Sequence, residues 1–72
     1  MKVVLCYNNS SVKIKWRLPF LPRIGETLSV SEFLSEKQNN ELCRNKDYFT
    51  IIHIAWFPSK RNDQSIVEII LG

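Results

Sequence analysis

The sequence predicts a small α+β domain that is mostly β. The expected form is a five-stranded antiparallel meander curling into a small barrel or roll, with one helix inserted between strands 3 and 4. Three observations carry this. "VKIKWRL" sets Val12, Ile14, Trp16 and Leu18 against Lys13, Lys15 and Arg17, the period of a strand with one face in the core and one in water. "YFTIIHIAWF" and "SIVEIIL" are apolar runs rich in β-branched and aromatic residues. Between Ser31 and Lys46 the alternation stops and a helical pattern replaces it.

The elements follow in order. "KVVLCY" at 2–7 reads as a strand, and "NNSS" at 8–11 as a turn, because Asn tolerates positive φ and Asn and Ser bond their own backbone. With "VKIKWRL" it makes a hairpin. "PFLPRIGETL" at 19–28 is corner chemistry. Pro19 and Pro22 lack N–H donors, and Gly25 suits the third position of a type II turn over Arg23-Ile24-Gly25-Glu26. Phe20, Leu21 and Ile24 either pack over the end of the core or stay partly exposed. "TLSV" is a short third strand. Ser31 is the expected N-cap, with Glu32 in the first turn and Arg44 and Lys46 near the far end. Phe33, Leu34 and Leu42 share a face, and Asn39-Asn40 is a weak place in the middle. The pattern allows one helix over 32–44 or two short turns.

"DYFTIIHIAWF" from 47 to 57 sets Tyr48, Ile52, Ile54 and Trp56 against Phe49, Ile51, Ala55 and Phe57. It reads as a central strand covered on both sides. "PSKRNDQ" is a polar loop, and in the closing strand Val67, Ile69 and Leu71 oppose Ile66, Glu68 and Ile70.

At 72 residues the chain is expected to be one domain, 1–72, with marginal stability of its own. Ten Lys and Arg against seven Asp and Glu give +3, scattered, with Lys60-Arg61 the longest basic run. No secretory leader is legible, and Ile51 to Phe57 is too short to span a bilayer, so a cytoplasmic setting without membrane association is expected. There Cys6 and Cys43 are expected to be reduced and packed as small apolar residues.

"FLPRIGETL", then "YFTIIHIAW" and a closing "VEIIL", resembles small uncharacterised bacterial proteins in which a Pro-Arg-(Val/Ile)-Gly-(Glu/Asp) turn leads into a short strand. Those chains are similar to Src-homology-type small β-barrels. The likeness covers Pro22 to Leu71, with Ser31 to Lys46 standing where a tight turn would serve. It implies a fold and no activity, because small barrels host unrelated functions.

Chemistry has few footholds. Cys6, Cys43 and His53 are the only soft ligands, without paired spacing, and a zinc would need a fourth such as Asp47. A Cys43–His53 nucleophilic pair would need a pocket this chain has little room for. Gly25 and Gly72 are the only glycines, so no phosphate loop is present. The expectation is a non-enzymatic domain without catalytic residues, metal or cofactor. Binding is the open class. Phe20, Trp56 and Phe57 are candidate partner-contacting residues, for an unidentified protein or a homodimer, unless the helix covers that face. The alternative is weak nucleic-acid binding through Lys13, Lys15, Arg17 and Arg23. Its difficulty is that the alternation turns Trp16 away from the lysines. Base stacking would then fall to Tyr7, Phe20 or Tyr48.

Overall fold

The structure, a computed structural model, describes residues 2–31, 34–42, 46–60 and 65–72. Glu32, Phe33, Cys43, Arg44 and Arg61, named above, lie outside the described residues. Five strands and one short helix follow in order. They are β1 (Lys2–Tyr7), β2 (Ser10–Lys15), β3 (Thr27–Ser29), α1 (Glu36–Leu42), β4 (Tyr48–Phe57) and β5 (Ile66–Leu71). The chain is mostly β, and the helix falls between β3 and β4 as expected.

The sheet order is β2-β1-β5-β4-β3, which is not a meander. β1 and β5 run parallel from Lys2↔Ile66 to Tyr7↔Leu71, while the other neighbours are antiparallel. The reason lies in β1. Once β2 has folded back on one of its edges, the other is still open and apolar. Pairing it with β5 sets Val3 and Leu5 beside Val67 and Ile69, all four fully buried. β3, α1 and β4 together supply the long connection a parallel pair requires. The sheet curls into a half-barrel whose concave side holds the core, with Phe49, Ile51, Val30 and Leu34 closing it.

The β1–β2 hairpin forms as predicted, though its loop is only Asn8-Asn9, with Asn8 at φ 54°. The second strand stops early. Val12 and Ile14 point into the core and Lys13 and Lys15 out, but Trp16, Arg17 and Leu18 have left the ladder. Leu18 is therefore exposed, and the Trp16 indole N–H donates to the Phe20 carbonyl at 2.8 Å. Of the link residues, Leu21 packs against the core, whereas Phe20 and Ile24 stay exposed.

The helix starts later than expected. Its N-cap is Ser35, not Ser31: the Gln38 amide donates to Ser35 Oγ (3.2 Å) and the Ser35 amide to Gln38 Oε1 (3.1 Å). It runs unbroken through Asn39-Asn40, although Asn39 Oδ1 is buried there without a hydrogen-bond partner. Leu34 and Leu42 reach the core, and α1 packs on β2 and β1. Lys46 lies beyond the helix, its Nζ about 5 Å from the ring centres of Tyr7 and Phe49.

The corner at 23–26 is a type II turn. The Glu26 amide donates to the Arg23 carbonyl at 3.1 Å, and Gly25 in the third position has φ +93°. No atom lies within 4 Å of where a Cβ on Gly25 would stand, so only backbone conformation demands glycine there. Gly25→Ala is expected to destabilise the fold by about 1–2 kcal/mol. Urea unfolding would show this as a lower midpoint at unchanged slope, with a smaller loss for Gly25→Asn. An unshifted midpoint for Gly25→Ala would mean the turn does not need the left-handed geometry.

Candidate functional site: the free half of β4

β4 is not central along its whole length. Its first part lies between β5 and β3, since Thr27, Leu28 and Ser29 pair with Thr50, Phe49 and Tyr48. One step further, the Ile51 amide donates to Glu26 O (2.9 Å) and the Gly25 amide to Ile51 O (2.8 Å). After that, among the described residues, only β5 pairs with β4.

The direction of the unpaired groups follows from the ladder. Thr50 exchanges both bonds with Gly72, at 3.0 and 2.9 Å, so Ile51 faces the other way. A bulge then falls at Ile52–His53, and the pairing resumes as His53↔Ile70, Ile54↔Ile69, Ala55↔Glu68, Trp56↔Val67 and Phe57↔Ile66. Alternate residues of β5 face β4, so Gly72, Ile70, Glu68 and Ile66 bond across to it. Their partners His53, Ala55 and Phe57 therefore point inward to β5. Ile54 and Trp56 turn their N–H and C=O to the open side.

The bulge also corrects the predicted faces. Strict alternation placed Ile51 and Ile54 on opposite sides, yet both belong to the core side, because the extra residue shifts the phase. Ile52, the surplus position, lies against Gly72, where a Cβ would come within 2.7 Å of its side chain. His53 consequently shares the outer face with Ala55 and Phe57 and is exposed. Trp56 and Phe57, named from the sequence, stand together at the far end of this open edge, 61% and 52% exposed. The stretch from Ile52 to Phe57 contains no Lys, Arg, Asp or Glu. Phe20, the third candidate, sits instead in the link after β2, beside a groove formed with Trp16, Leu18, Leu21 and Arg23.

The other end of the sheet is built differently. β2 carries exposed Lys13 and Lys15, and Gln38 Nε2 of α1 donates to the Lys13 carbonyl at 3.2 Å. Lysines and a covering helix are both devices that keep a sheet edge from pairing. The cations nevertheless share a groove: Lys13, Lys15 and Arg17 line it with Trp16, Leu18 and Gln38. Trp16 is thus not turned wholly away from them, as strict alternation required. Arg23 is exposed in the corner turn and borders the other groove. Of the other rings available for stacking, Tyr7 is committed to an edge contact with Phe49 at 5.0 Å, and Tyr48 is exposed.

Cys6 lies half-buried on the outer face as a free thiol. Burial, and secondarily the Glu68 carboxylate, push its pKa up. Among the described residues no group of three or more His, Cys, Asp or Glu could hold a metal, and no helix is long and apolar enough to cross a membrane. Comparison with protein-family models, curated proteins and solved structures finds no match. Alkylation of Cys6 by iodoacetamide at pH 8, followed by peptide mass mapping, is expected to be slower than that of a free model thiol. Glu68→Gln should speed it only in part, because burial is the larger cause. A rate equal to the model thiol's would contradict this environment.

Proposed function

We propose that the protein is a non-enzymatic cytosolic binding module that takes an extended protein segment as an added strand along the free half of β4. One observation carries the reading: β4 runs ten residues while β3 pairs with only three, leaving an edge that no described strand covers and that bears Trp56 and Phe57. Strand addition needs outward main-chain groups for affinity and alternating side-chain sites for selectivity, and this stretch has both. The magnitudes divide the work. Four edge hydrogen bonds contribute roughly 0.5–1.5 kcal/mol each, since water satisfies those groups otherwise. That total is of the order of the entropy lost on association alone. The aromatic side chains must supply the surplus.

The test is anisotropy of a labelled eight-residue peptide of alternating Val and Thr. Binding is expected, and Trp56→Pro should abolish it. That change removes an outward N–H and the indole while leaving the bonds to β5. A peptide that does not bind a chain that is itself monomeric, or that binds Trp56→Pro equally well, would refute strand addition.

A second reading has its own support. Three cations share a groove with the Trp16 indole, the combination that single-stranded nucleic acids use. Under it, labelled single-stranded DNA binds Lys13, Lys15, Arg17 and Arg23 with a log–log salt slope of about −2 to −3, and Lys15→Glu weakens it. No binding at about 50 mM salt would end this reading.

A further inference from the structure

Resting on the strand-addition reading, we infer that the occupant of the β4 edge is a second copy of this chain, paired antiparallel about a two-fold axis through Ala55. Three features of the edge point to this.

The first is its length. The bulge at Ile52–His53 bounds it on one side and Pro58, which lacks an N–H, on the other. Within that window Ile54 and Trp56 are the residues facing outward. Setting Ile54 opposite Trp56 of the other copy, and Trp56 opposite its Ile54, uses every outward N–H and C=O in four bonds. Ala55 then meets Ala55 in the close, non-hydrogen-bonded pair on the axis, where a small side chain fits. A shift of two residues in either direction puts the bulge or Pro58, which cannot donate, into the ladder and leaves outward groups of Ile54 or Trp56 unpaired.

The second is chemistry. Across the axis Ile54 pairs with Trp56 on the concave side, and His53 with Phe57 on the convex side. No like charges are brought opposite each other, which cross-strand pairing would penalise. Each copy carries +3, but Lys13 and Lys15 stand on β2, three strands away from β4. At about 4.8 Å per strand that is roughly 14 Å, beyond the screening length of about 8 Å at physiological salt.

The third is preorganisation. A free peptide must give up conformational freedom at every residue it orders in so short a window. The β4 of a second copy is already held extended by β5. Covering four half-exposed rings, with flanking apolar groups and backbone, places the interface near the low end of specific ones, about 1,000 Å². The association is accordingly weak and depends on concentration.

The experiment is sedimentation equilibrium on the whole chain from roughly 10 μM to 1 mM, with disulfide trapping in a Cys6→Ser, Cys43→Ser background. The mass should rise from 8.5 kDa toward twice that value. Trp56→Lys should weaken the dimer about tenfold or more. Ala55→Cys should crosslink to itself under mild oxidation. His53→Cys alone should not, whereas His53→Cys together with Phe57→Cys should. If a cysteine variant misfolds, intermolecular nuclear Overhauser contacts between Ala55 α-protons in a mixed-label sample of the unmutated chain decide the register. A dimer that traps at other positions overturns the inference. So does a monomer at every concentration: if that monomer binds the Val-Thr peptide, strand addition survives with a foreign partner, and if it does not, both fall.

Discussion

The parallel ladder between β1 and β5 is the constraint on which the rest of this molecule depends. It joins the two ends of the sequence at the middle of the sheet and buries Val3, Leu5, Val67 and Ile69 completely. With β1 and β5 in the centre, β2 can only lie outside β1, and β4 only outside β5. The remaining apolar surface of the concave side then needs a cover. Leu34 and Leu42 supply it over β2 and β1, and Leu28 with Val30 at the other end. A seven-residue helix is too short to be stable alone, so packing of Leu42 and the reciprocal Ser35–Gln38 cap must hold it.

How much of this could be read in advance follows the range of each interaction. The hairpin, the type II turn at Gly25 and the place of the helix were legible, because each is decided within a few residues by alternation, φ preference or a change of period. The β1–β5 pairing was not. It joins residues more than sixty positions apart, and an apolar strand such as "KVVLCY" accepts a parallel neighbour as readily as an antiparallel one. The early end of β2 was hidden by Trp16 and Leu18, which continue the alternation after the backbone has left the ladder. The cap was missed for a smaller reason. Ser35-Glu36-Lys37-Gln38 carries the Ser-x-x-Gln spacing of a capping box, but Ser31 followed by Glu32 offers a competing start nearer the end of β3.

The candidate site was half legible in the same sense. Trp56 and Phe57 stood out by composition, but their setting depends on two things no composition reveals. One is that β3 is only three residues long. The other is the bulge at Ile52–His53, invisible in "TIIHIAWF" because apolar residues occupy both phases and either register looks equally good. An alternating strand would have advertised the slip, since a one-residue shift would have put charge into the core.

These features together explain why the two sides of the sheet are finished so differently. At the β2 end, lysines on the outer face and a helix side chain on the Lys13 carbonyl leave little for another strand to pair with. At the β4 end the bulge increases twist locally and ends the useful contact with the corner at Gly25 and Glu26. β3 could have run further along β4 had the turn come earlier, but Pro22 and the Arg23–Glu26 turn stop it there. The corner chemistry of "PFLPRIGETL" is therefore not neutral with respect to binding. By turning the chain away one residue past Thr27, it leaves the outward main-chain groups of Ile54 and Trp56 without a strand partner among the described residues. Under strand addition the loop itself contacts no partner. Its contribution is to decide how much of β4 remains open.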